Sequence, residues 1–189
     1  MKYTDVKTPE MLLEFMEQIE YGFYDKQDKK FYSGNDMDFE NALSNKWVLS
    51  SAEQTIKTKV GICYDQVELE RDFFSKNKFE FVTLFVWFAC KKQNKYPTHT
   101  FLVYKDKTTN DWCWFEHSDF ANKGIHHFVS FKKALQCQKQ THIKYAKHIR
   151  KTKTDISKIQ TIQYSTPPKN CKMLEFLNFI FDTGKPIEF

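Results

Sequence analysis

One of the five cysteines stands where a helix start would favour its chemistry. Cys63 follows Gly61 in VGICYDQVELER, and early acids with later lysines predict a helix over 62–75. The first turn of a helix is its positive end, which stabilises a thiolate and offers backbone N–H groups to an oxyanion. Gly61 would let a carbonyl come close. The position suits a nucleophile, although a small buried hydrophobic residue is the commoner use of such a cysteine.

A histidine and a glutamate farther along the chain could supply a base and the acid that orients it. Residues 105–110 form the turn-like stretch between two strand-like runs, and a turn centred between Lys107 and Thr108 sets His99 directly opposite Glu116. Directly opposed Cβ atoms lie about 5 Å apart. A carboxylate there can hold the imidazole in the tautomer that takes a proton from a thiol. The alternative is a buried pair that only stabilises the hairpin.

The elements that must position these residues follow from hydrophobic patterning. Runs rich in Phe, Val, Tyr and Trp over 79–90, 99–104 and 111–117 predict an antiparallel meander. On the predicted register, Trp112 and Trp114 share a face with His99. The other expected elements are helices over 9–21 and 130–150, a polar connection over 25–46 with a short helix near its end, a strand over 156–164, and a helix or strand over 173–181.

Composition indicates one globular domain spanning 1–189. The chain is 41% apolar and 17% aromatic, is long enough to bury a core, and has no internal repeat. Its apolar runs fall short of the roughly 20 residues of a membrane span, so no membrane association is expected. The N-terminal residues lack a secretory signal, which predicts a cytoplasmic location. An odd number of cysteines without CxxC spacing fits a reducing compartment and argues against disulfides or a zinc ribbon.

The net charge of +5 does not by itself indicate nucleic-acid binding. Only Arg71 and Arg150 among the 29 basic residues are arginine, the residue on which phosphate and base recognition depends most. The lysine-rich stretch 132–153 is typical of a solvated helix face, with docking to an acidic partner as the alternative. No metal site is predicted, because Cys137, His142 and His148 do not line one helix face. The adjacent His126 and His127 should lie on opposite sides of a strand, in structural roles or at the edge of a cleft.

Three motifs together resemble the transglutaminase-like branch of the papain-like cysteine enzymes. They are VGICYDQVELER, THTFLVY and WCWFEHS, within about 55–120. In that family the nucleophilic Cys is at the start of a helix that packs on an antiparallel sheet. A His begins the strand that follows this helix. The acid lies on the neighbouring strand, four residues after a Trp. Trp112 and Glu116 keep that spacing. The resemblance implies an α+β fold, with Cys63 as nucleophile, His99 as general base and Glu116 as orienting acid.

The orienting acid differs from the family pattern, and the oxyanion side chain stays unassigned. The acid is usually Asp in that family, so Asp119 is the alternative to Glu116. No oxyanion side chain carries over, and Gln54 is the best upstream candidate by its chemistry. Gln66 is expected to be an exposed helix residue.

The expected activity is acyl transfer through a thioester. The Cys63 thiolate would attack an amide or ester carbonyl, and His99 would protonate the leaving group. Hydrolysis of an amide or peptide bond is favoured, with amine transfer, as in protein cross-linking, as the alternative. The expected partner is a protein or peptide substrate, Trp112 and Trp114 would help to form its cleft, and no cofactor is predicted. A binding module that engages an acidic partner through the basic helix is the alternative from another class. The sequence does not indicate an oligomeric state.

Overall fold

The computed structural model describes residues 1–88, 98–148 and 159–188, which form an α+β fold. The helices are α1 (Pro9–Met16), α2 (Phe39–Lys46), α3 (Ala52–Thr58), α4 (Cys63–Lys76), α5 (Phe131–His148) and α6 (Met173–Thr183). The strands are β1 (Gly22–Asp25), β2 (Lys30–Ser33), β3 (Phe81–Phe88), β4 (Thr98–Lys105), β5 (Trp112–Glu116), β6 (Gly124–Phe128), β7 (Ile159–Tyr164) and β8 (Lys185–Ile187).

Six of the strands form one antiparallel sheet in the order β6-β5-β4-β3-β7-β8. Strands β3 to β6 are consecutive neighbours, which confirms the predicted meander. Strand β7 returns to pair with the other side of β3, so β3 and β4 lie at the centre. The β1–β2 hairpin is a separate two-stranded sheet.

Helices cover both faces of the central strands. Because alternate side chains of a strand point to opposite faces, β4 contributes Leu102 and Tyr104 to one face and Phe101 and Val103 to the other. The first face packs against α1 and α4, whereas the second packs against α5. The sheet is therefore buried on both sides, and the ends of its strands are where a site can open.

The β4–β5 hairpin has a different register from the predicted one. Leu102 pairs with Phe115, which shifts the pairing by two residues. The turn is centred one residue later than predicted, between Thr108 and Thr109, where the Asp106 carboxylate accepts hydrogen bonds from the backbone N–H groups of these two threonines, both at 2.8 Å. Asn110 then takes a left-handed conformation at φ 66° before β5 begins. The predicted direct opposition of His99 and Glu116 is therefore wrong.

The same two residues nevertheless stay on one face of the sheet. Side chains alternate between the two faces of a sheet with a period of two. A register shift of two residues therefore moves the paired residue along its strand but leaves its side chain on the same face. His99 and Glu116 become diagonal neighbours, a separation that long side chains can span.

The segment before the β meander departs most from prediction. The polar connection over 25–46 contains most of the β1–β2 hairpin as well as α2, and α1 ends at Met16 rather than near 21. After α1 the chain pairs with the residues that lead into α4. The Glu20 N–H donates to the Lys59 carbonyl at 2.8 Å, and the Gly61 N–H donates to the Glu20 carbonyl at 3.1 Å.

Other elements agree with the expected pattern over the described ranges. Helix α4 lies within one residue of the prediction at each end, and the 173–181 segment is helical. Three predicted boundaries lie outside the described residues. They are the end of the third helix at 150, the start of a strand at 156 and the end of the first strand-like run at Cys90. None of the helices in the described part of the chain combines the length and apolar character needed to cross a membrane.

Candidate active site

Helix α4 begins at Cys63, and a buried carboxylate fixes that start. Asp65, in the first turn, accepts hydrogen bonds from the Ile62 N–H and the Trp47 indole N–H, both at 3.1 Å, and from the Ser50 N–H at 2.7 Å. Burial raises the pKa of Asp65 to about 7, although these three hydrogen bonds act in the opposite direction. One side chain therefore joins the segment before α3 to the turn that carries the cysteine.

Removing that carboxylate should destabilise the fold. We expect Asp65→Ala to lower the free energy of unfolding by about 2–4 kcal/mol, because it leaves buried N–H donors unpaired and removes a helix cap. Trp47→Phe is the comparison, since it removes one donor and leaves the cap in place. Chemical denaturation of both variants measures the difference. Equal stability of Asp65→Ala and the unmodified chain would contradict the anchoring role.

The first turn of α4 is also tied to the beginning of β4. The Tyr64 and Thr98 hydroxyls share a hydrogen bond. These residues directly follow Cys63 and directly precede His99 in the chain. The contact therefore holds the helix start and the strand start together at the point where the thiol and the imidazole meet.

His99 lies between the thiol and a buried carboxylate. Its Nε2 is 2.8 Å from Oε2 of Glu116. The Cys63 sulfur is a hydrogen-bond partner of the same ring. Because Nε2 faces Glu116, Nδ1 is the nitrogen left for the sulfur. A base with its orienting acid on one side and a nucleophile on the other is the arrangement of a catalytic triad.

The electrostatics of the His99–Glu116 pair favour its charged form. Burial works against a charged imidazole, but the Glu116 carboxylate and Cys63 outweigh it and hold the pKa of His99 well above its usual range. Burial also works against a charged Glu116, but His99 and hydrogen bonds from Asp119 and Ser118 lower the pKa of that carboxyl. The ring is therefore an imidazolium that can give a proton to a leaving group.

Glu116, not Asp119, is the acid in contact with His99. Its second oxygen accepts hydrogen bonds from the Asp119 N–H at 2.9 Å and the Ser118 hydroxyl at 3.1 Å. The Asp119 carboxylate serves its own loop, accepting from the Ala121 N–H at 3.1 Å and the Asn122 amide at 2.8 Å. Asp119 thus supports the site through its backbone.

A cavity of about 590 Å³ opens over Cys63 and His99. Its walls come from the residues that flank the β1–β2 hairpin, the first turn of α2, the loop after β5 and one face of α5. It reaches the surface at Phe120, whose side chain is 70% exposed. Cys63 is only 5% exposed in the folded chain, but it lines a cavity with a route from solvent.

The two tryptophans predicted to form the cleft belong to the core instead. Trp114 stacks on His126 with ring centroids 4.8 Å apart, and Trp112 packs on Phe131 at 4.9 Å. Both lie under α5, which covers this face of the sheet. His126 and His127 are on opposite faces as predicted, since His127 contacts the Cys113 sulfur at 3.3 Å. None of these four residues is among the described residues that line the cavity.

The glutamine predictions also need correction. Gln54 closes the capping box of α3, accepting from the Ser51 N–H at 2.9 Å, and it lines a separate groove. Gln66 is buried, not exposed. Its amide donates to the Gly61 carbonyl at 2.8 Å and accepts from His117 Nδ1 at 2.7 Å. Gln66 therefore joins α4 to the segment before Cys63 and to the chain after β5.

Gly61 is needed for close packing. A Cβ atom there would lie 3.1 Å from the Asp65 Cβ and 3.3 Å from the Thr55 methyl group. Its carbonyl is already bonded to Gln66. The expected access for a substrate carbonyl is thus replaced by tight packing of the chain against α4.

Two ionisable residues near the sulfur were missed at the sequence level. Burial, together with Cys63, raises the pKa of Tyr21 well above its usual range, so its hydroxyl keeps a proton beside the thiol. Burial also raises the pKa of Glu70 well above its usual range, and the neighbouring Glu116 adds to the shift. Glu70 is 2% exposed, and burial favours its neutral form beside His99 and Glu116.

One face of α5 also lines the cavity. It presents Gln138, Thr141, His142 and Tyr145. Their spacing of three, four and seven residues is that of one helix face and could have been recognised in the sequence. The lysine-rich pattern of the same helix indicates only its solvated face. Within the described ranges, no group of three or more His, Cys, Asp or Glu could hold a metal ion.

No protein-family model, curated protein or solved structure matches the chain. The function therefore has to be argued from the geometry and chemistry of the site.

Proposed function

We propose that the chain is a cysteine-dependent acyl-transfer enzyme that hydrolyses an amide or peptide bond through a thioester. One observation carries the proposal. A single imidazole, that of His99, has a carboxylate on one side and a helix-start sulfur on the other, at a cavity that reaches the surface. A buried His–Glu pair that only stabilised the sheet would not need a thiol and a cavity beside it.

The first half of the reaction forms the thioester. The Cys63 thiolate attacks the carbonyl carbon, and the carbonyl electron pair moves to oxygen. First-turn backbone N–H groups and the protonated Tyr21 hydroxyl are the donors available to that oxyanion. The oxyanion then collapses, the carbon–nitrogen bond breaks, and the His99 imidazolium gives its proton to the leaving amine.

The second half regenerates the enzyme. Neutral His99 takes a proton from water, the resulting hydroxide attacks the thioester, and the carbon–sulfur bond breaks to release the acid and the thiolate. Glu116 keeps the ring oriented and stabilises the imidazolium that forms. An amine in place of water would give a new amide, so the two outcomes differ only in the acceptor. Mass analysis of the product with and without added amine distinguishes hydrolysis from cross-linking.

The fold supports the same assignment at a coarser level. A helix that begins with the cysteine packs on an antiparallel sheet, and the histidine and acid lie on adjacent strands of that sheet. This order and placement are similar to those of the transglutaminase-like branch of papain-like enzymes, to which we propose the chain is related.

Selective alkylation tests the state of the nucleophile. We expect iodoacetamide at pH 6 to modify Cys63 about tenfold or more faster than Cys113 and Cys171, because thiolates react and thiols do not. Burial raises the pKa of Cys113 and of Cys171 to about 11. Peptide mapping by mass spectrometry reports each site. The partly exposed Cys137 provides an internal measure of simple accessibility.

Uniform slow labelling of all thiols would contradict the proposal and favour a binding module. That alternative rests on the exposed lysines of α5, among them Lys132, Lys133, Lys144 and Lys147. Retention on a polyanionic resin as a function of salt tests it separately, because release at low ionic strength excludes a specific basic surface.

A further inference from the structure

Two buried side-chain hydrogen bonds join the segment before the nucleophile to the strand that carries the acid. The Gln66 amide donates to the Gly61 carbonyl at 2.8 Å and accepts from His117 Nδ1 at 2.7 Å. Gly61 lies two residues before Cys63, and His117 directly follows Glu116. The two hydrogen bonds therefore connect the backbone on either side of the catalytic geometry, without passing through the triad itself.

The direction of both hydrogen bonds is fixed by the groups that make them. The Gly61 carbonyl can only accept, so the Gln66 nitrogen faces it and the Gln66 oxygen faces His117. Nδ1 must then carry the proton of the neutral His117 ring. Burial and the nearby Lys123 lower the pKa of His117 to about 4, so the ring is uncharged at neutral pH.

Packing alone does not call for a histidine at this position. His117 Nε2 is buried and has no hydrogen-bond partner among the described residues. An unpaired buried acceptor is unfavourable, and an apolar side chain of similar size would avoid it. The contribution of the histidine is its Nδ1–H donor to Gln66, and hence the link between α4 and the end of β5.

The end of β5 is therefore held by two neighbouring side chains. Glu116 Oε2 lies 2.8 Å from His99 Nε2, whereas His117 contacts Gln66 on α4. Because α4 also begins with Cys63, a movement of this strand end relative to α4 changes how the imidazole meets the sulfur. A misplacement of about 1 Å in a reacting group can lower a rate by about 100-fold.

We propose that Gln66 and His117 are positioning residues for acyl transfer, which hold Glu116, and through it the His99 imidazole, in place against the Cys63 sulfur. This inference rests on the proposed function, because it concerns the geometry of the same triad. Neither positioning residue is among the described residues that line the cavity. Their loss should therefore affect the chemical step and not the binding of substrate.

Substitutions that remove or keep the His117 donor test this role. The probe is p-nitrophenyl acetate, and acylation of Cys63 is followed by nitrophenol release over a range of probe concentrations. We expect Gln66→Met and His117→Leu to lower the maximum acylation rate about tenfold to 100-fold, with the half-saturating concentration within about twofold. His117→Asn should restore the rate to within about threefold of the unmodified chain, because its amide nitrogen is attached to Cγ, as Nδ1 is.

A pH series separates positioning from a general loss of stability. Because His117 is uncharged, its removal takes no charge from the site. A displaced Glu116 would nevertheless stabilise the His99 imidazolium less, so the high-pH limit of acylation should move to lower pH in His117→Leu and return in His117→Asn. Thr83→Val is the matched control, because the Thr83 hydroxyl donates a buried hydrogen bond to the Tyr164 carbonyl in the central sheet. It should lower the melting temperature but leave the rate and the pH limit unchanged.

The possible failures are distinguishable. An unchanged rate and pH limit in Gln66→Met and His117→Leu, or an equal loss in His117→Asn or Thr83→Val, overturns the positioning role while Cys63 remains a nucleophile. The absence of an acetyl adduct on Cys63 in the unmodified chain overturns the proposed function and this inference with it. Thermal melting of each variant shows that the rates refer to folded protein, and His117→Leu provides the second test if Gln66→Met does not fold.

Discussion

Cys63→Ala is expected to abolish acyl transfer while leaving the melting temperature within a few degrees. Removing the nucleophile of a triad lowers turnover by roughly 10⁴-fold or more, because the covalent route is lost altogether. The structural effect should be small, since the sulfur lies on a cavity and Ala removes a single heavy atom from the surrounding core. p-Nitrophenyl acetate is a suitable reporter. It should give an acetyl adduct on Cys63 and a burst of nitrophenol in the unmodified chain, and neither in the variant.

Cys171→Ala is the matched control. Cys171 is about as buried as Cys63 and belongs to the same hydrophobic cluster. A general loss of packing would therefore affect both variants alike, whereas a loss of chemistry affects only one. Undiminished acylation of Cys63→Ala, or an equal loss in both variants, would contradict the role of Cys63 as nucleophile.

The sequence was sufficient to find the thiol, the imidazole and the acid because each is marked by a local pattern. A cysteine at the start of a charge-ordered helix and a polar run between aromatic strands are both short-range signals. The predicted register of the β4–β5 hairpin was wrong for a local reason as well. Composition located the turn, but the Asp106 carboxylate and the left-handed Asn110 decide on which residues the turn is centred. The period of two then kept His99 and Glu116 on one face despite the error.

The walls of the cavity could not be predicted in the same way, because they depend on how helices pack across the sheet. Both faces of the central strands are covered, so an aromatic strand face such as that of Trp112 and Trp114 looks the same whether it lines a cleft or a core. The same ambiguity affected Gln66, which is polar by type but lies on the buried face of α4. The α5 face that lines the cavity lies on the same helix as a lysine-rich stretch, which by itself indicates only a solvated face.

Glu116→Gln should have the second-largest effect on the reaction. The glutamine keeps the shape but cannot hold an imidazolium by charge, and loss of the orienting acid in a triad lowers turnover by about 10⁴-fold. The pKa of His99 should also fall, because burial then acts on the ring without the opposing carboxylate. The high-pH limit of activity, set by loss of the imidazolium, should therefore move to lower pH in the variant. A pH series of acylation rates measures both effects.

The same substitution gives a stability signature that depends on the sign of each shift. The pKa of His99 is raised from its ordinary value of 6.5, so its contribution to folding is present below that pH and is lost as pH rises through the raised value. The pKa of Glu116 is lowered from its ordinary value of 4.5, so its contribution is present above that pH and is lost as pH falls through the lowered value. Denaturation of the two chains should therefore differ most between these two ordinary values. Asp119→Asn is the control, because its carboxylate bonds only within its own loop among the described contacts, and a larger effect from Asp119→Asn would mean that the acid is wrongly assigned.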